Sequence, residues 1–199
     1  MHGGFFTGGV TGTQVDTAIA AAVASLRTTP KLKAGQRLGH MHAYGGSTAA
    51  SPVSANFIYA LPFAVFSPTS VSAIELNVTT LGAGLARVGV GTLNGDGSAW
   101  GMTLVSDIAA LDLSSTGVKS SAFVYEFQPG VIYLALLLAN VGFSGTTVVN
   151  SRDLFGGNSG ANTGARLALT VVQAYAALPA STTFSATNPQ APLLHFVVA

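Results

Sequence analysis

The chain has 199 residues, of which only 8% are Asp, Glu, Lys or Arg, and its formal net charge is +1; ordinary soluble domains carry about 25% charged residues. Cysteine is absent, which excludes disulfides and thiolate metal sites. The basic residues are scattered singly or as close pairs such as Lys31 and Lys33, so no stripe exists to neutralise a phosphate backbone, and nucleic acid is not an expected partner.

Residues 1–12, "MHGGFFTGGVTG", are Gly-rich and have no period, as in an arm that orders only against something else. Phe5 and Phe6 are its apolar content, and two readings stand for them: folding back on their own domain, or insertion into a neighbour. Residues 13–30, "TQVDTAIAAAVASLRTTP", predict one short helix, with Thr13 as N-cap, Asp16 completing a variant of the capping box, and Pro30 as the stop. Val15, Ile19, Ala22 and Leu26 follow a four-three-four spacing, that of a coiled-coil seam. Isolated helices of this length are marginal in water, so this one must pack, either on its own domain's sheet, in a bundle with sister chains, or on another protein. No Lys or Arg precedes "AIAAAVA", and Asp16 stands where a signal peptide is basic, so a leader is not expected.

From Gln36 onward the pattern changes to strands at short intervals. "QRLGHMHAY", "NFIYALPFAVF", "SVSAIELNV", "LARVGVGTL", "GMTLVSD", "SAFVYEF", "VIYLALLLA", "ARLALTVV" and "LLHFVV" follow one another, and "FGGNSGANTG" (155–164) reads as a long polar loop. Asn94-Gly95 fits a type I′ turn, and Pro129-Gly130 a type II turn. "IELNV" alternates as a half-exposed strand does. "LALLL" does not, which predicts a strand buried on both faces or at a subunit contact. "VIYLALLLA", though the longest apolar run, is about half of the ~20 residues that a spanning helix needs, so membrane insertion is not expected. The expected fold is all-β: a jelly-roll-like antiparallel β-sandwich over residues 35–199, preceded by an arm and helix (1–34) for attachment and oligomerisation. A chain with this composition (mean hydropathy +0.52) must keep its surface wet with Ser, Thr, Asn and Gly or hide it against other subunits. Near-zero net charge favours association, so an assembly subunit is expected.

Five segments carry a family resemblance: "YALPF" (59–63), "IELNVTT" (74–80), "ARVGV" (86–90), "STGVK" (115–119) and "PGVIYLA" (129–135). Their order and phrasing resemble the β-sandwich modules of fibre, spike and related adsorption proteins of tailed bacteriophages and phage-like particles. The likeness covers residues 55–141, under half of the chain. It implies a virion protein, usually a homotrimer fixed to the particle by its N-terminal segment, with other capsid or tail proteins as neighbours and the sandwich facing outward. That gives the predicted helix its job, with Phe5, Phe6, Val15, Ile19, Ala22 and Leu26 as the attachment and oligomerisation residues.

Signals for catalysis are weak. The acids form no evident glycosidase couple in the sequence. "GGNSG" has its serine one place from a nucleophile elbow, no Gly-rich phosphate loop follows a strand, and "NGDGSAWG" lacks the glycine and late Glu of a Ca²⁺ loop. No enzyme activity and no cofactor are expected. One metal reading competes: in a strand, His40 and His42 share a face, and copies around a trimer axis would supply an octahedral set for a transition metal. The other reading of the pair is two ordinary surface or interface histidines. For glycan binding, Trp100 and Tyr44 are the stacking candidates, with Asn158 and Asn162 as hydrogen-bond partners. The expected function is a trimeric head or tail fibre or spike subunit that contacts host-surface polysaccharide. The alternative is a purely structural capsid or tail component without receptor binding.

Overall fold

The structure, a computed structural model, describes residues 32–38, 48–95, 100–148, 168–188 and 193–199. All belong to one compact unit, Leu32–Ala199. The predicted arm and helix, with Phe5, Phe6, Val15, Ile19, Ala22 and Leu26, lie outside the described residues.

What is described is all-β and antiparallel. The strands are β1 (Arg37–Leu38), β2 (Thr48–Val53), β3 (Phe57–Ala64), β4 (Thr69–Thr80), β5 (Leu85–Asn94), β6 (Gly101–Asp112), β7 (Gly117–Phe127), β8 (Ile132–Ala139), β9 (Phe143–Val148), β10 (Ala168–Val172), β11 (Ser181–Thr183), β12 (Ala186–Asn188) and β13 (Leu194–Val198). They form two sheets. In the first, β7 lies along one edge of β4, while β13 and β9 follow one another along its other edge, with β1 and β2 outside them. The second runs β11-β6-β5-β8-β3-β10-β12. Between residues 48 and 148 the pairings are nested: β5 with β6, β4 with β7, β3 with β8 and β2 with β9. That span is therefore one long antiparallel ribbon folded across both sheets.

Period-2 alternation puts one face of each sheet into a shared core. Ile74, Leu76, Phe127 and Phe196 enter from the first sheet, and Leu61, Phe63, Val88 and Leu137 from the second. The result is a sandwich-like arrangement. A second apolar cluster lies on the other face of the second sheet, where Ile58, Ala60, Leu134, Leu136 and Leu138 are covered by Leu178 and Phe184. Residues 173–185 make that cover: 173–180 cross from β10 to β11, at opposite ends of the strand order, and 184–185 return from β11 to β12 beside β10. This accounts for the unbroken "LALLL" of β8. Its odd residues, Ala135 and Leu137, face the first sheet, while its even residues, Leu134, Leu136 and Leu138, face the strap. The strand is buried on both faces within one chain, so no subunit contact is needed to explain it.

Two connections use the same device. In "SANFIY", the Ser54 N–H donates to the Tyr59 hydroxyl at 3.0 Å, and in "QPGVIY" the Gln128 N–H donates to the Tyr133 hydroxyl at 3.0 Å. Each has a left-handed residue at its third position, Asn56 (φ 60°) and Gly130 (φ 83°). Gly130 fits the type II turn expected at Pro129-Gly130, and Asn tolerates the same region because its short side chain bonds locally. The expected type I′ turn at Asn94-Gly95 is not what forms. Asn94 ends β5 with an ordinary φ and only Gly95 is positive, at 135°, whereas type I′ needs φ > 0 at both central positions.

Candidate functional site

The two sheets treat their outer faces differently. That of the second is roofed by the strap, whereas that of the first, among the described residues, carries polar side chains on β4 and exposed Val118 and Val124 on β7. Inward positions of β4 and β13 are taken by the core, so the alternation turns Glu75, Asn77 and His195 outward. Glu75 and His195 are direct cross-strand partners, and Arg37 of β1 sits opposite Val197, one strand further out. The Arg37 side chain reaches back over β13 and donates from Nε to Glu75 Oε2 at 2.7 Å. That side chain is 55% exposed and Glu75 15%, so the pair is worth about 0–1 kcal/mol. It nonetheless ties a two-residue edge strand to the centre of the sheet. Alongside, Asn77 Nδ2 donates to Thr146 Oγ1 at 2.7 Å, and Ser72 Oγ donates to the Val197 carbonyl at 3.4 Å.

Burial lowers the pKa of His195 below its ordinary 6.5, the Arg37 guanidinium lowers it further, and the Glu75 carboxylate opposes both. A lowered folded value means that the unfolded chain holds more protons in that interval. The contribution to stability is thus complete above pH 6.5 and is lost as pH falls toward the lower folded value. We expect the urea midpoint of the wild type to drop between about pH 7 and pH 5, and His195→Gln to flatten that slope. Equal slopes in the two proteins would rule out His195 as its source.

The other ion pair among the described residues has a structural place. Arg87 Nε meets Asp107 Oδ1 and Oδ2 at 3.0 and 2.9 Å, and Asp107 Oδ2 also accepts the Leu178 N–H at 3.1 Å. It thereby pins the strap to β5 and β6. Asn56 anchors the start of the strap, its carbonyl accepting from the Gln173 N–H at 2.9 Å and its Oδ1 from the Tyr175 N–H at 3.2 Å. At the β6–β7 connection, the Ser114 hydroxyl and N–H both donate to Asp112 and hold its carboxyl below the usual range.

Of the residues singled out from sequence, Trp100 is described. It is half-buried against the second cluster, as are Leu93, Leu104, Val171 and Tyr175, and its carbonyl accepts the Phe184 N–H at 2.8 Å. It braces the end of the strap. Tyr44, Asn158, Asn162, His40 and His42 lie outside the described residues. Among the described residues, no group of three or more His, Asp or Glu is gathered as metal ligands, and no helix is long and apolar enough to cross a membrane. The Arg37–Glu75–His195 group was not visible in the sequence, because its members are far apart in the chain. The available signal was local: polar residues at alternate positions of "IELNV" and a lone His inside "LLHFVV".

This outer face offers side-chain donors and acceptors spread over β1, β4, β9 and β13. No family model, no curated protein and no solved structure matches the chain.

Proposed function

We propose that the protein is a virion structural subunit: a homotrimeric head or tail fibre or spike component, attached by its N-terminal segment, that presents a jelly-roll sandwich to host-surface polysaccharide. The observation that carries this reading is the nested ribbon. Wrapping four nested pairs (β2–β9, β3–β8, β4–β7, β5–β6) yields the two four-stranded runs β2-β9-β4-β7 and β3-β8-β5-β6. That order supports the jelly-roll reading, an architecture that includes capsid and lectin domains. The low charge content of the chain supports an assembled rather than solitary state. The polar side chains on the outer face of the first sheet, with Arg37, Asn77 and Thr146, support adsorption by hydrogen bonding.

Light scattering on the full chain and on residues 35–199 tests the assembly. A trimer is expected for the first and a weaker or lost oligomer for the second, and monomers from both would refute it. Glycan-array binding by the intact trimer tests adsorption, with Arg37→Ala and Trp100→Ala locating the surface. A trimer that binds no polysaccharide would remove the adsorption role.

A further inference from the structure

We infer that His195 is a proton-operated latch on β1: when its imidazole takes up a proton, Arg37 gives up Glu75 and residues 32–38 peel away from the edge of the first sheet.

The latch follows from strand register. Glu75 is the direct cross-strand partner of His195, and the side chains of such a pair share one face, with Cβ atoms about 4.5–5.5 Å apart. Arg37 is paired with Val197 instead, so it reaches Glu75 Oε2 only by passing over β13 beside His195. A neutral imidazole tolerates that arm. An imidazolium sets a second positive charge next to the guanidinium and competes with it for the same carboxylate. Of the two cations, Arg37 is the one that yields. Its side chain is 55% exposed and turns to water at little cost, whereas His195 is half-buried and held opposite Glu75 by the register of β13.

The other charged groups of the described residues are engaged elsewhere. β9 has no ionisable residue. On β7, Lys119 is bonded to Ser115, and Glu126 to Ser70 and Gln128. Lys33 lies in the turn closed by Gln36. Apart from Arg37, the attachment of residues 32–38 is slight. The Gly35 N–H donates to the Val198 carbonyl at 2.9 Å, the Val198 N–H donates to the Gln36 carbonyl at 2.8 Å, and Leu38 packs, partly buried, on the core.

The sign is fixed by linkage. Burial and then the Arg37 charge hold the His195 pKa below 6.5, against the pull of Glu75. Peeling β1 away removes the Arg37 charge, so opening takes up a proton and is favoured as pH falls from 6.5 toward the folded value.

Hydrogen–deuterium exchange of the full chain, read by mass spectrometry at about pH 7.5 and about pH 5 and corrected for the intrinsic effect of pH with the unfolded chain, tests the latch. Loss of an exposed ion pair predicts that opening of residues 32–38 rises about three- to fivefold at the lower pH in the wild type, while β3 (Phe57–Ala64) keeps its protection. His195→Gln is neutral at both pH values and leaves His40 and His42 in place; it should show no such rise. Arg37→Gln should open residues 32–38 more readily than the wild type already at the higher pH, with a smaller further rise at the lower. Retained protection of β3 shows that each variant is folded. A rise in His195→Gln equal to that of the wild type would overturn the latch. So would wild-type exchange at residues 32–38 that ignores pH, the result if Glu75 holds both cations, or a rise shared equally by β3, which is unfolding of the whole domain.

Discussion

Phe127→Ala is expected to cost about 3–5 kcal/mol of folding free energy, measured as the change in unfolding free energy from denaturant titration. Phe127 is fully buried at the end of β7. Its ring meets Phe63 of β3 at 5.0 Å edge-on, Tyr133 of β8 at 4.8 Å and Phe196 of β13 at 5.0 Å. One side chain thus touches both sheets where they close over the β7–β8 turn. Edge-to-face pairs add about 0.5–1.5 kcal/mol beyond burial. The partners are held in strand register, so they cannot collapse into the space left behind, and a retained cavity is what makes such truncations expensive. Val124→Ala, three residues earlier on the same strand but 87% exposed, should change stability by less than about 0.5 kcal/mol. A loss below about 1 kcal/mol for Phe127→Ala would contradict the closure of the two sheets at this ring.

The second large effect concerns the strap. Gly89 does not have a left-handed φ, so its requirement is for space. A Cβ there would stand 2.3 Å from Leu178 Cδ1 and 2.7 Å from the Ser106 carbonyl oxygen. Gly89→Ala is expected to destabilise by about 1–3 kcal/mol, the usual cost of overpacking, and Leu178→Ala by about 2–5 kcal/mol through loss of a buried side chain. Combining them should cost less than the sum, because the alanine methyl then occupies space that Leu178 has vacated. The Ser106 carbonyl is backbone in the neighbouring strand and cannot yield as easily, so relief should be partial. Strict additivity would show that Leu178 does not sit over Gly89.

Much of the strand content was legible. "NFIYALPFAVF", "SVSAIELNV", "LARVGVGTL" and "VIYLALLLA" mark β3, β4, β5 and β8 closely, because β-branched and aromatic residues between turn signals are a local property. The strands that escaped are β2 ("TAASPV"), β9 ("FSGTTV") and the three-residue β11 and β12. β2 has only Thr48 and Val53 of such residues and carries a proline, β9 is interrupted by Ser144 and Gly145, and β11 and β12 are only three residues long. Their strand state comes from neighbours, since β2 and β9 complete each other over six paired positions. The end of β6 was missed for a related reason. Its "IAALD" breaks the alternation, and register shifts between Val88 and Gly89 and between Val90 and Gly91 absorb the break.

The sequence by itself determined the all-β class, the buried character of β8, the type II turn at Gly130 and the scarcity of charge, because periodicity, glycine conformation and composition are written in adjacent residues. Tertiary structure alone decided the nested order of the ribbon, the strap over the second sheet, and the meeting of Arg37, Glu75 and His195. Each of these depends on which distant strands pair and in what register. Hydrophobic burial drives the sheets together without choosing partners, and strand pairing between distant segments makes the choice.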